Sequence, residues 1–579
     1  MIDIIREKEG ESVKGIKKIA CLLGAAMMLT VGGVQAKTLL FVPQDNRPVS
    51  FAYTIETAED AGYTVLYPPD YLLSGNAYTG SPDRLWQWVK ENAGQADAMI
   101  LSSDSLIYGG LVDSRKHNFQ MNTLMRRVDE FARLKQAYPN TPIYGFGTVM
   151  RSPYASNGTV EPSYYDEYGT AIWQIAALMD KQDTEGLTGD ETRQLFNLFS
   201  GIPAEYLQDW FDRRNKNMQV NMALIQDAAD GVFTYFCLGH DDTSSHSQSS
   251  MEGRYLAQIS AKISDSVYGS FPGADQLGLL LMARAHNDFN GLKPKVAVIY
   301  PLGGADKTVP HYEDQTVGET LAQHVIAAGG VMAKRETPDL LLAVNTPLGR
   351  VTGESSAFEN FPMMMEYERV FLGQIIDVMN KGIPVSVADI AYSNGSDNTL
   401  VYGLMQKDLL YKLAAYNGWN TASNTIGYAI AQGMLSSNMS KRAHDRMLTT
   451  QLLDNWAYQA NIRKEIQRLK NNFSDGNKKY YGTLNEELES QMKLRIQTYA
   501  EKYLHVNPRT IEASFPWNRL FEVQIQVHEF PVVPLEKEVR AQKEKEEQER
   551  LKKLEEEKAK AAAAATAKAA PAKENKTTP

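Results

Sequence analysis

Short, nearly continuous apolar runs recur along the chain at residues 38–42, 64–67, 98–102, 143–149, 232–238, 296–300, 340–345 and 385–388. Runs of this length without strict alternation predict strands covered on both faces. Segments with apolar residues at helical spacing lie between them, among them 51–61, 83–92, 122–137, 318–328 and 367–380. Strands alternating with helices predict βαβ units and a largely parallel sheet. Eight such units predict an α/β fold of the (β/α)8 barrel type. The alternative is two doubly wound α/β domains. It has support in a local likeness: Glu59-Asp60-Ala61-Gly62-Tyr63-Thr64-Val65 is similar to Ile326-Ala327-Ala328-Gly329-Gly330-Val331-Met332. Each reads as a helix end, a glycine cap and a strand.

The alternation is interrupted twice. Residues 154–231 exceed the length of one crossover and carry Trp, Tyr, Leu and Met at helical spacing, so a helical insertion is expected there. Residues 440–469 and 484–504 read as two long helices, and 519–527 alternates like an edge strand. The expected organisation is a signal peptide at 1–36, an α/β domain at 37–435, a mainly helical C-terminal region at 436–530 and a charged low-complexity tail at 531–579.

The N-terminal segment changes the functional picture. Lys14, Lys17 and Lys18 precede the apolar, small-residue stretch 19–34, and Val34-Gln35-Ala36 fits a cleavage site. This is the pattern of a secretory signal peptide, too short for a membrane span and followed at once by a strand. An exported protein of the periplasm or cell envelope is expected, with no membrane span in the mature chain. Cleavage would leave Cys237 alone in a predicted buried strand, where it reads as a small core residue. The net charge of −10 with no basic stripe argues against nucleic acid as a partner. The tail pairs opposite charges at helical spacing before turning to Ala, Lys and Pro, which reads as a solvating extension.

Polar residues gather where the apolar runs end. The run 232–238 leads into Gly239-His240-Asp241-Asp242, the first into Gln44-Asp45-Asn46-Arg47, the third into Ser103-Asp104, the fourth into Arg151, and the last into Asp389. Acids at the ends of buried strands are costly for a core and useful for chemistry. Both candidate architectures bind ligands at the carboxyl ends of their strands.

Several of these strings resemble those of a bacterial family, domain-of-unknown-function family 4127. They are Val42-Pro43-Gln44-Asp45-Asn46-Arg47-Pro48, the stretch from Ser103-Asp104-Ser105 to Asp113-Ser114-Arg115, Gly273-Ala274-Asp275-Gln276, Asp389-Ile390-Ala391-Tyr392-Ser393-Asn394-Gly395-Ser396-Asp397, and Gly418-Trp419-Asn420-Thr421-Ala422-Ser423-Asn424-Thr425. Together they span roughly residues 38–530. The resemblance implies one family-wide unit and no particular activity. Where such proteins carry Glu, this chain has Gln276.

Asp241 and Asp242 are the candidate catalytic pair. Neighbouring strand residues point to opposite faces, so both reach one ligand only if the chain bends, which Gly239 would permit. The pair is similar to that of hexosaminidases that use the substrate's own acetamido group, one Asp orienting the acetamide and the other protonating the leaving oxygen. The competing reading is a helix cap plus a solvated loop acid. Asp45, Arg47, Asp104, Arg151, His240, Asp389, Asn394, Trp419 and Asn420 are the candidate substrate-binding residues. Arginine clamps carboxylate or phosphate, asparagine serves hydroxyls, and an indole face stacks on a sugar ring. Salt bridges for the arginines and helix capping for Asn420 are the competing roles. No cofactor is expected, and no metal ligands are assigned. A divalent cation held by the His240, Asp45, Asp104, Asp241, Asp242 and Asp389 donors is the alternative, though no His-x-x-x-His or Cys-x-x-Cys spacing backs it. No Gly-x-Ser-x-Gly elbow and no Gly-x-Gly-x-x-Gly fingerprint occurs. The expected function is an exported hydrolase of an envelope or extracellular glycan, of the N-acetylhexosaminidase kind. A metal-dependent hydrolase of another bond and a non-catalytic protein binding a glycan or small molecule are the alternatives. The oligomeric state is left open by the sequence.

Overall fold

The first apolar runs assemble into one parallel sheet. In this computed structural model, β1 (Thr38–Val42), β2 (Thr64–Leu66), β3 (Ala98–Ser102), β4 (Ile143–Val149), β5 (Tyr235–His240) and β6 (Tyr268–Pro272) lie in the order β2-β1-β3-β4-β5-β6. The second half of the α/β region supplies β7 (Lys295–Ile299), β8 (Val331–Met332), β9 (Leu340–Asn345), β10 (Gly353–Glu354), β11 (Val385–Asp389), β12 (Tyr392–Ser393) and β13 (Ala415–Asn417). Five of these form a second parallel sheet in the order β13-β11-β9-β7-β8, while β10 and β12 pair with each other. The structure describes residues 36–528 apart from 77, 302–304, 335–336, 350 and 473–485, together with 545, 548, 550 and 552. The expected signal peptide and almost all of the expected tail lie outside the described residues.

The chain is thus mixed α/β with parallel sheets. A closed barrel is not shown among the described residues, whose strands divide between the two sheets. Numbered from its own first strand, each sheet begins 2-1-3-4-5, the order of doubly wound folds. The two similar strings noticed in the sequence occupy equivalent places. Gly62 precedes β2 and Gly329 precedes β8 with one intervening residue each, and each has a left-handed backbone, with φ of 94° and 82°. That conformation favours glycine and turns the helix end into the outer strand.

Burial follows the apolar runs. One face of the first sheet, with Leu40, Val42, Met99, Leu101, Phe236 and Leu238, packs with Leu85, Trp86, Leu124, Phe131 and Leu224 from three helices. On the other face, the helix Leu277–Asn290 brings Gly278 against the rings of Phe41 and Phe146. The helix Ala422–Leu435 is buried along its whole length, as its Ala/Gly/Ile composition allows. Its Gly427 faces Gln276, and its Gly433 faces Ser386 of β11 and Leu340 of β9.

The stretch 154–231 contains the helices Tyr165–Thr184, Gly189–Gly201 and Ala204–Ala229. Met150, Tyr165, Ile172, Ile175 and Trp210 make a small core of their own. Val220, Leu224 and Ile225 of the third helix join the main core, so this helix also serves as the crossover from β4 to β5.

The chain divides into two compact units, residues 1–444 and 445–579. In the second unit, helical backbone runs through residues 452–472, the helix Glu486–Leu504 follows, and β14 (Ile511–Ser514) pairs antiparallel with β15 (Gln524–Val527). Among the described residues no helix is long and apolar enough to cross a membrane.

Candidate functional site

The strand exits of the first sheet carry most of the expected residues, and the structure sorts them into three groups. The first surrounds the acid pair. Asp241 and Asp242 follow β5 directly. Gly239 stays within β5, where a side chain would collide with the Gly273 carbonyl, so the expected bend falls at Asp242 instead, with φ of 31°. Arg115 donates to Asp241 at 2.5 Å and lies 3.5 Å from Glu161. Arg151 donates to Asp242 at 2.7 Å and to Glu161 at 2.6 Å. Arg151 is itself positioned by Arg214, which donates to the carbonyls of Met150 and Arg151 at 2.6 and 2.8 Å and pairs with Glu252 at 2.7 Å.

Asp104 lies nearby, and Thr148 donates to it at 3.0 Å. Burial raises its pKa to about 7, with the charge of Asp241 adding to the effect. Asp242 is also raised, by burial first and by adjacent Asp241 second, against the pull of Arg151 and Arg115. Its side chain is the most accessible of the group, 24% exposed. Asp241 and Asp242 therefore have different surroundings: one is closed against Arg115, the other reaches solvent and holds its proton more tightly than an ordinary Asp.

The loop after β7 completes this group from the second sheet. Thr243 N–H donates to the Tyr312 carbonyl at 2.9 Å. Ser250 donates to Asp314 at 3.2 Å, and His240 Nδ1 lies 3.6 Å from the same carboxylate. Burial works to raise Asp314, but the contacts with His240 and Ser250 outweigh it and lower the pKa. Glu313 accepts the Ser423 N–H at 2.6 Å and so caps the helix Ala422–Leu435, a role the sequence suggests for Asn420. Burial nevertheless pushes Glu313 up to about 7, with Asp314 and Asp242 adding repulsion. Its second oxygen is buried without a partner.

Tyr312 carries the arrangement outward. Its hydroxyl donates to Glu354 at 3.0 Å, Asn394 donates to the other Glu354 oxygen at 2.9 Å, and Asn394 N–H donates to the Asn420 carbonyl at 2.7 Å. Tyr312, Asn394 and Asn420 have φ of 68°, 60° and 55°. With Asp242, that makes four left-handed non-glycine residues along one chain of hydrogen bonds, and backbone strain of this kind concentrates at functional sites.

The second group joins the two sheets. Arg47 donates to Asp45 at 2.9 Å and to Asp275 at 2.5 Å. Gln44 donates to Asp275 at 2.7 Å, and the Trp419 indole N–H donates to the same carboxylate at 3.2 Å. Asn424 accepts from the Ala274 and Asp275 N–H groups at 3.2 and 3.0 Å. Trp419 is only 2% exposed, so neither ring face is open for stacking on a sugar. The carboxylates already hold Arg47, as the salt-bridge reading of that residue expected.

The third group centres on Asp389, at the end of β11. Asn345 donates to Asp389 at 2.9 Å and to Asp397 at 3.0 Å, and Tyr416 donates to Asp389 at 2.7 Å. Burial raises Asp389 to about 7, with Asp397 adding its charge. Asp397 also caps the helix Asn398–Gln406. Asp389 is completely buried and does not join the acid pair.

Of the expected residues, then, His240, Asp241, Asp242, Asp104 and Arg151 come together, with Asn394 and Asn420 at the rim. Asp45, Arg47 and Trp419 belong to the network between sheets. Sequence reasoning missed Glu161, Tyr312, Glu313, Asp314 and Glu354. Among the described residues no group of three or more His, Cys, Asp or Glu side chains is arranged to hold a metal ion.

The family described as "protein of unknown function (DUF4127)" matches residues 39–526. The chain belongs to this family. No curated protein and no solved structure matches it. The family match covers both sheets and most of the second unit, and it includes every residue of the three groups.

Proposed function

We propose that this family member is an exported hydrolase of an envelope or extracellular glycan, acting on an N-acetylhexosamine linkage with help from the substrate's acetamido group. Asp242 is the proton donor to the leaving oxygen, and Asp241 is the neighbour that orients the acetamide. The observation that carries this reading is the divergence of two adjacent carboxyls: Asp241 closed against Arg115 at 2.5 Å, Asp242 accessible and raised. A general acid needs a pKa near the working pH, and burial beside a like charge moves Asp242 upward from the ordinary carboxylate range. Arg151 holds the acid in place, while Tyr312, Asn394 and Asn420 offer hydroxyl-binding groups at the rim. Export rests on the signal-peptide pattern of residues 1–36.

The test is hydrolysis of chromogenic N-acetylhexosaminides and purified envelope glycan, with and without chelator, beside Asp241→Asn and Asp242→Asn. Asp242→Asn should lower kcat by about 10²–10⁴-fold, the usual range for loss of a general acid. Full turnover by that variant would remove Asp242 from the chemistry. Chelator-sensitive release would favour the metal-dependent alternative. One observation favours a binding protein instead: each aspartate already carries an arginine, which satisfies a ligand site without turnover. Saturable glycan binding without release from any substrate would decide for it.

A further inference from the structure

Beside the acid pair, the exits of β2 and β3 enclose a pocket of about 540 Å³ that none of the acid-pair residues lines. It lies at the carboxyl ends of the strands, where the residues following β2 meet those following β3. Its walls are built in advance. Gly80 N–H donates to Asp113 at 3.0 Å, Asn46 donates to the Tyr78 hydroxyl at 2.9 Å, and Gly75 N–H donates to the Tyr78 carbonyl at 3.0 Å. A side chain at Gly80 would collide with the Gly109 carbonyl, so the two wall segments touch backbone to backbone.

The lining combines ring faces with hydrogen-bonding groups. Tyr108 stacks on His117 with ring centres 4.9 Å apart, and His117 stacks on Phe119 at 5.8 Å. Tyr108 is 4% exposed, and its hydroxyl is buried with no hydrogen-bond partner. An unpartnered buried hydroxyl costs free energy that a ligand can recover. Tyr108 ends a π-helical turn, Asp104–Tyr108, a distortion frequent at functional sites. Tyr78 stands at the rim, 44% exposed. The charged lining residues, Asp113 and Lys116, are of opposite sign. Burial pushes His117 down to about 4, so that ring is uncharged at neutral pH. No excess positive charge is present to hold a phosphate.

We propose that this pocket is a second carbohydrate site, binding a neutral sugar unit against the exposed ring of Tyr78, with Asp113 and the Tyr108 hydroxyl bonding its hydroxyl groups. Aromatic faces with a few fixed polar groups in a pocket of this size are the ordinary means of holding a sugar. The site is independent of hydrolysis at Asp242.

The test is saturation-transfer NMR on the full chain carrying Asp242→Asn, so that turnover does not intervene. The probes are N,N′-diacetylchitobiose, cellobiose and inorganic phosphate, each at millimolar concentration. The expected result is saturation transfer to ring protons of at least one disaccharide. Tyr108→Phe and Asp113→Asn should each weaken its Kd about tenfold, the effect of losing roughly one good hydrogen bond. Tyr78→Ala, at the exposed rim, should weaken it similarly, and thermal melts would establish that all three variants remain folded. Absence of transfer to both disaccharides would overturn the proposal. So would binding that folded Tyr78→Ala and Tyr108→Phe leave unchanged, or displacement of the sugar by phosphate.

Discussion

Replacing Asp104 by Asn should stabilise the protein at alkaline pH relative to acid pH, although it removes a charged residue from the cleft. Asp104 is 1% exposed, and its pKa is raised from 3.8 to about 7, chiefly by burial. The sign follows from linkage. Below pH 3.8 both folded and unfolded chains carry the proton, and the group contributes nothing. As pH rises the unfolded chain loses its proton first, so stability falls until the folded carboxyl also ionises near pH 7 and then levels off. A tenfold change in proton affinity is worth about 1.4 kcal/mol, so the full penalty is about 4 kcal/mol. Roughly a third of it is already present at about pH 5, which leaves about 2–3 kcal/mol to appear between about pH 5 and 8.

Asparagine does not titrate, and its amide oxygen can keep the Thr148 bond. The comparison is urea unfolding of both proteins at the two pH values, with m checked for equality so that midpoints report stability. Asp242, Glu313 and Asp389 titrate in both proteins and cancel to first order, while Asp241 and Arg115 are the charges that face Asp104. The stability difference between variant and parent should move in favour of the variant by about 2–3 kcal/mol on going to the higher pH. A variant equally destabilised at both pH values would refute the reasoning, because Asp104 would then be ionised in the folded state throughout.

Two other substitutions test the remaining groups. Arg47→Met leaves Asp45 and Asp275 buried without their cation and should cost about 3–5 kcal/mol by urea unfolding, as breaking one side of a buried pair does; a cost under about 1 kcal/mol would mean that water reaches the network. Tyr416→Phe removes a donor from Asp389 and should cost about 1–3 kcal/mol, with the larger loss above pH 7, where that carboxyl ionises; a loss independent of pH would place the proton elsewhere in the Asp389–Asp397 pair.

The sheets were legible wherever a strand is a plain apolar run. β1, β3, β4 and β9 begin and end where the pattern predicts. β5 starts three residues later than the run, because Val232 and Phe233 pack before the ladder begins, and it continues through Gly239 and His240. β6 has the sequence Tyr-Gly-Ser-Phe-Pro, with no apolar run at all, and it escaped notice. Its exit holds Asp275, the carboxylate on which Gln44, Arg47 and Trp419 converge. β13 is three residues long and escaped for lack of length. The barrel expectation came from counting units, which cannot tell one ring from two sheets; the repeated helix–glycine–strand string held that information, because it marks the outer strand of each sheet. Asp241, Asp242, Asp104 and Arg151 could be grouped from their places at strand exits. Trp419 could not be sorted, since a stacking indole and a buried one have the same sequence signature. Glu313 and Asp314 follow β7 by a loop without apolar pattern, so nothing in the sequence directed them toward β5.

That loop explains why Asp242 differs from an ordinary strand-end acid. A solvated carboxylate after β5, held by Arg151, would be shifted downward. Here the segment Tyr312–Asp314 is fixed from both sides: Thr243, Ser250 and His240 hold it to the first sheet, and Ser423 holds Glu313 to a helix of the second. It places the Glu313 carboxyl within reach of the charge of Asp242. Desolvation and the charge of Asp241 then outweigh Arg151 and Arg115, and the pKa of Asp242 is raised. The surroundings of Asp242 therefore draw on residues of both sheets. The network of Gln44, Arg47 and Trp419 around Asp275 is a second tie between the two sheets at their carboxyl ends.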